Sequence, residues 1–258
     1  GNMKSNGHVP FTFWSTYYVP ATLCGCIIKR RTPRVSYFDE KLGSTVLDAN
    51  SQYIILVHDV YKNINDEYEK QRWIIKHEKN IERALEFLDS HVNSDGLITE
   101  RPFANWEDSL MFNGVVPYTN LLWLEATKRY VELKESDKIF IKHVEFESRK
   151  NKVFKFLKKI SNPDTVTASL CVLWYPKEPM TKVLFALLYN KFRRRKYFGI
   201  PNRLNHLSKD MIFYPLRIMG QGKYHNGWVW SWVSLLWAVA LYKQNKKDEA
   251  KDVFNMFK

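Results

Sequence analysis

Cysteine is scarce in this chain of 258 residues: Cys24, Cys26 and Cys171 are all it has. Three thiols make no disulfide framework and none stands at zinc-ligand spacing, which points to a reducing compartment, here read as the cytoplasm. Cys24 and Cys26 are separated by one residue where a redox pair usually has two, so they read as packing residues. Long apolar runs are missing too. The most apolar stretch, Trp228 to Tyr242, is shorter than the roughly twenty residues a membrane-spanning helix needs, and it reads as a buried helix with no membrane partner. Gly1-Asn2-Met3-Lys4 shows neither the charged region nor the apolar core of a secretory signal. There is no glycine-rich phosphate loop, His-Glu-x-x-His string or Cys/His cluster, so no nucleotide, metal or other cofactor is expected. Acidic residues are the minority, 27 against 40 Lys and Arg, for a net charge of +13. That balance attracts polyanions. The cations, however, are spread over many predicted helix faces, and the densest group, Lys191 to Lys196, reads as a solvated helix end. Nucleic acid is therefore not the expected partner.

What the chain does have is apolar and aromatic content of 45% and 15%, enough for one domain with a substantial core. Residues 1–43 are rich in aromatics, proline and β-branched residues without a helical period, and read as loop and short extended pieces. From residue 44 to 258 the pattern is helical. Asp48-Ala49-Asn50-Ser51 offers capping side chains for a helix through Tyr53, Ile54, Val57, Val60 and Tyr61. Asn63-Ile64-Asn65-Asp66 breaks it, and a longer helix covers about Glu67 to His91. Asn93-Ser94-Asp95-Gly96 is a turn, Leu97 to Val116 a long loop, and Pro117 suits the first position of a helix to about Lys134. Further helices are predicted over Asp137 to Lys159, Val166 to Trp174, Pro179 to Arg194, Trp228 to Gln244 and Lys247 to Phe257, with Phe198 to Lys223 mostly loop. Nothing after residue 44 alternates with period two over a strand's length. The expected architecture is all-α, a single domain of helix pairs with its long loops gathered on one face, as in an α/α toroid.

Several short strings concentrate chemistry where helices are predicted to begin: Thr45-Val46-Leu47-Asp48-Ala49-Asn50, Asn105-Trp106-Glu107-Asp108-Ser109 and Tyr224-His225-Asn226-Gly227-Trp228-Val229-Trp230. Gly7-His8-Val9-Pro10, Asp95-Gly96-Leu97 and Asn120-Leu121-Leu122-Trp123-Leu124-Glu125-Ala126 complete the set. In this order they resemble the amylo-α-1,6-glucosidase domain of glycogen debranching enzymes and, more loosely, glucoamylases and other (α/α)6-barrel glycoside hydrolases. The debranching pattern runs Gly-x-Ile-Pro, Ser-Val-Asp-Ala, Asp-Gly-Leu, Trp-x-Asp, Asn-x-Leu-Trp-x-x-Ala and Tyr-His-x-Gly-x-x-Trp-x-Trp. Here the second is met by Thr45, Leu47, Asp48 and Ala49 with one residue inserted. The last is met by Tyr224, His225, Gly227, Trp230 and Trp232.

The resemblance implies hydrolysis of α-linked glucosides or oligosaccharides by acid/base catalysis, with inversion. One carboxylic acid protonates the departing oxygen and a second carboxylate activates water. Asp108 matches the acid of the debranching pattern, and Glu107 matches the acid in the Trp-Glu-Glu of glucoamylases. Asp48 would accept hydrogen bonds from sugar hydroxyls. Trp106, Tyr224, Trp228 and Trp230 would stack on pyranose faces, with His225, Arg101, Tyr118 and Asn120 as polar contacts. Trp123 and Trp232, inside helices at helical spacing, read as core. Two departures stand out. The family's catalytic Glu lies in a loop beyond the Tyr-His-x-Gly helix, and no position here corresponds to it; the helices ahead of Gly-x-Ile-Pro have no counterpart either, so the expected toroid is incomplete at both ends. The family's Glu two residues before the Asn of Asn-x-Leu-Trp is Tyr118 here. The competing reading is a toroid that binds carbohydrate without cleaving it.

Overall fold

In the computed structural model, helices form where apolar residues recur at three and four and where a carboxylate can close the first turn. Asp66 accepts from the Glu69 amide at 2.8 Å to open α2 (Glu67–Asp89), and Asp164 accepts from the Thr167 amide at 2.6 Å to open α5 (Thr165–Trp174). The structure describes residues 3–9, 12–14, 17–20, 27–30, 34–36, 46–102, 104–107, 110–134, 139–193, 199–203, 205–218, 220 and 225–257. The other helices are α1 (Asp48–Asn63), α3 (Pro117–Leu133), α4 (Ile139–Leu157), α6 (Pro179–Phe192), the short α7 (Tyr214–Ile218), α8 (Ser231–Lys243) and α9 (Lys247–Asn255). The protein is mostly helical, and no helix among the described residues is long and apolar enough to cross a membrane.

Two layers organise these helices. α1 packs on α3, α3 on α5 and α5 on α8, a continuous inner row. Each inner helix is followed by an outer one that packs back on it: α2 on α1, α4 on α3, α6 on α5 and α9 on α8. Short connections at 64–66, 134–138, 175–178 and 244–246 make these pairs helical hairpins. The longest returns, 90–116 and 193–230, lie at the other end, before α3 and α8. α3 is enclosed by α1, α2, α4 and α5, and Tyr118 through Thr127 are all buried. It joins two apolar clusters, one around Ile54, Leu88 and Trp123, the other around Leu124, Leu184 and Trp237.

The strands are short. β1 (Thr12–Trp14) pairs with β4 (Arg34–Ser36), and β2 (Tyr17–Pro20) with β3 (Ile27–Arg30), all antiparallel, in keeping with the extended pieces expected there. The stretch expected to be only loop holds one more pair, β5 (Thr99–Glu100) against β6 (Gly114–Val115). Two residues per strand are too few for an alternation to show in sequence.

The start of α1 corrects the capping expectation. Leu47 occupies the N-cap and no side chain caps the helix. Asn50 instead accepts from the Val9 amide at 3.0 Å and donates to the carbonyls of Gly7, at 2.9 Å, and Ala84, at 3.3 Å. It pins residues 7–9 between α1 and α2, with the His8 ring stacked on Phe87 at 4.7 Å. Gly7 has φ +88°, and a Cβ there would fall 2.0 Å from the Arg83 carbonyl oxygen, which explains the glycine. Replacing Asn50 by Ala strands three buried backbone groups and should lower stability by about 2–4 kcal/mol, read as a urea midpoint shift. Leu56→Ala, on the exposed face of the same helix, should stay within about 0.5 kcal/mol of the wild type.

Candidate functional site

The amino-terminal ends of α1, α3 and α8 meet one loop, residues 104–107, and that of α5 reaches it through Arg203. From α1, Asp48 accepts from the Trp106 amide at 3.0 Å, and the Leu47 amide donates to the Ala104 carbonyl at 2.9 Å. From α3, Thr119 donates to Glu100, which also accepts from the Asn105 amide group, each at 2.5 Å; Asn105 in turn accepts from the Glu107 amide at 2.7 Å. Residues 202 and 203 hold the far side. Asn202 donates to Glu107 at 3.2 Å and to the His225 carbonyl, and accepts from the Gly227 amide at 3.1 Å. Arg203 closes an ion pair on the other Glu107 oxygen, and its guanidinium lies 5.0 Å from the Phe112 ring centre. Arg203 is also bridged in backbone register to Asp164, the cap of α5.

Aromatic rings gather over this frame. Trp106 meets His225 edge-on at 5.1 Å, Trp232 at 4.7 Å, Tyr118 at 6.4 Å and Trp230 at 6.5 Å; His225 stacks on Trp230 at 5.1 Å. The indole N–H of Trp106 is buried and meets no acceptor among the described residues. Tyr118 accepts from Gln52 at 3.1 Å, which joins the α3 wall to α1. Beside Glu100 opens a cleft of about 520 Å3 lined by Leu47, His91, Thr99, Arg101 and Asn113.

Burial sets the acidity of this region. Asp48, Glu100, Glu107 and Asp164 are all buried. Glu107 is pushed up to about 7, chiefly by loss of water, with the nearby Arg203 charge opposing and Asp164 adding to the rise. Glu100 is pushed up to about 8 by burial, helped by the charges of Asp48 and Glu107 and opposed by its bonds from Thr119 and Asn105. His225 is lowered to about 4 by burial and by Arg203, so its ring is neutral near pH 7. The Tyr118 phenol is raised well above its usual range by burial and by Asp48. Glu100 therefore keeps its proton at neutral pH, while Glu107 is held against the Arg203 guanidinium beside the aromatic rings.

The structure brings Asp48, Trp106, Glu107, Tyr118, His225 and Trp230 together. Asp108 and Tyr224 lie outside the described residues. Arg101 is exposed at the rim of the adjoining cleft, and Trp228, 44% exposed, faces a different groove. Asn120 departs from its expected sugar contact. It is fully buried, accepts from the Ile98 amide at 2.8 Å and donates to the carbonyls of Ile98 and Val116, so it ties the loop after the Asp95-Gly96-Leu97 turn to α3. Of the two tryptophans read as core, Trp123 is 1% exposed, but Trp232 is 41% exposed with its ring against Trp106. Helical spacing shows which residues share a face, not what covers that face. Asn202, Arg203 and Asp164 were not anticipated as site residues, and Glu100 stood out in the sequence only as a loop carboxylate with no motif behind it. Glu100, Asn202 and Arg203 act through partners 5 to 96 positions away that no local pattern signals, whereas Asp164 caps α5 locally and joins the site only through Arg203.

No family model matches the chain, and no curated protein matches it at a significant score.

The elevated acidity of Glu100 fixes the sign of a pH effect. A carboxyl at about 8 when folded, against an ordinary 4.5, holds its proton more tightly in the native state, so its contribution to stability is lost as pH rises through that interval. The urea midpoint should therefore fall between about pH 5 and pH 8, and Glu100→Gln should flatten that fall. An equally steep decline in the variant would remove Glu100 as its source.

Proposed function

We propose that this protein is a glycoside hydrolase of the α-glucosidase or debranching type, acting on α-linked glucosides or oligosaccharides. The observation that carries the reading is the gathering of Trp106, His225, Trp230 and Tyr118 beside the buried carboxyl groups of Asp48, Glu100 and Glu107. The motif resemblance is independent support, because the strings it rests on are far apart in sequence and meet here.

In this proposal Asp108 is the general acid. In sequence it follows Trp106 and Glu107, the end of the loop held by Asp48 and Asn105. Glu107 serves the site through its pairing with Arg203 and Asn202 rather than by donating a proton. Trp106 and Trp230 present flat apolar faces to the pyranose, while neutral His225 and Asp48 read its hydroxyls. The base is a second carboxylate that no motif of this chain assigns; in an inverting pair it lies roughly 6.5–9.5 Å from the acid and activates the attacking water. The two layers of helix pairs are read as an arc of an (α/α)6 toroid, with the site at the amino-terminal end of the inner row.

Release of reducing sugar from a panel of α-linked oligosaccharides tests this. Asp108→Asn should lower kcat by about 100-fold or more while leaving KM within about threefold, the signature of a group that acts only in the transition state. Proton NMR of the first product should show the β-anomer. Sugar binding with no turnover on any substrate, unaltered by Asp108→Asn, would instead make the protein a glycan-binding module.

A further inference from the structure

The segment that presents His225 and Trp230 to Trp106 has a second side. There Trp228 flanks a groove of about 570 Å3. Its floor is Ile212 and Asn226, both buried, and across from the tryptophan stand the cationic side chains of Lys209 and Arg217, both exposed.

The groove is well braced. Asn226 accepts from the Leu207 amide at 2.6 Å and donates to the Leu207 carbonyl at 3.0 Å, and the His206 ring bonds the Asn226 carbonyl. Gly227, at φ +122°, lets that ring approach: a Cβ would sit 2.2 Å from it. The floor is also joined to the loop of the candidate site, since Leu110 bridges Ile212 and the Met111 amide donates to the Met211 carbonyl at 2.8 Å. A ligand lying here is therefore one loop away from Trp106.

Its chemistry is one-sided. An indole 44% exposed is a platform for the apolar face of a pyranose. Neither Lys209 nor Arg217 is in an ion pair among the described residues, although the Arg217 guanidinium lies 5.2 Å from the Tyr214 ring centre. Among the described residues no carboxylate lines the groove. Asp210 is fully exposed, is bonded by Ser208 and acts on Arg217 from outside. Two cations beside an aromatic plate fit a sugar bearing an anionic group, which gains charge-assisted bonds that a neutral sugar does not.

We infer that this groove is a second saccharide site, selective for a sugar carrying a phosphate or carboxylate. Its place beside a catalytic site rests on the hydrolase reading; its ligand class does not.

Calorimetry with methyl α-glucoside, its 6-phosphate and methyl glucuronide decides the matter. The anionic sugars should bind about tenfold more tightly than the neutral one, and the double variant Lys209→Gln, Arg217→Gln should erase that advantage. Which anion binds better identifies the source of the charge. Trp228→Ala should weaken all three alike, and Asp108→Asn should change none. Equal affinity for charged and neutral sugars, or anion binding indifferent to both sets of variants, would overturn the inference. Groove binding in a protein that cleaves no glycoside would refute the hydrolase reading alone.

Discussion

The buried contact of Glu107 with Arg203 is the constraint on which the site depends. Taking both charges out of water costs several kcal/mol per ion, and the pairing recovers it only with good geometry and further hydrogen bonds. On the carboxylate side Asn202 reaches the second Glu107 oxygen, and Asn105 holds the Glu107 amide; on the guanidinium side Arg203 Nε is buried and meets no acceptor among the described residues. The result is a tie between segments that no helix packing would bring together. Loop 104–107 is fastened to residues 202 and 203, which are fastened to the cap of α5 and, through Asn202, to the turn at 225–227. Loosening that pair would shift Trp106 and His225 together.

The helical order of the chain was legible because it depends on local periodicity and on breakers such as Asn63 to Asp66 and Pro117. Ends were less so. Trp228 was expected to begin the helix that starts at Ser231, because an apolar run looks helical even where Val229 is bridged to Pro201. The capping cluster at Asp48 to Ser51 was misread for a different reason. Its side chains had local work available, but Asn50 and Asp48 bond to residues 7–9, 84 and 106 instead. Long-range bonds of that kind leave no trace in spacing.

The site divides along the same line. Trp106, Tyr118, His225 and Trp230 belong to strings whose composition stands out, and they converge. Glu100 and Arg203 stand in unremarkable surroundings, and only the fold makes them neighbours of Asn105 and Glu107. Asn120 shows the reverse case, a residue in a conspicuous string whose amide goes to backbone groups. A short string can mark a junction of the fold as readily as a contact with a ligand.

The convergence of the inner helices at one end has an electrostatic consequence. Their peptide dipoles add there, each amounting to roughly +0.5 of an elementary charge. Asp48 in the first turn of α1 and Asp164 at the cap of α5 stand at those positive ends, while Lys62 and Lys243 occupy the last turns of α1 and α8 at the opposite ends. The backbone thus supplies counter-charge to a group of carboxylates that side chains alone would neutralise only in part. Unwinding the first turn of an inner helix would be felt first as a change in the acidity of Glu100 and Glu107, before any apolar contact was lost.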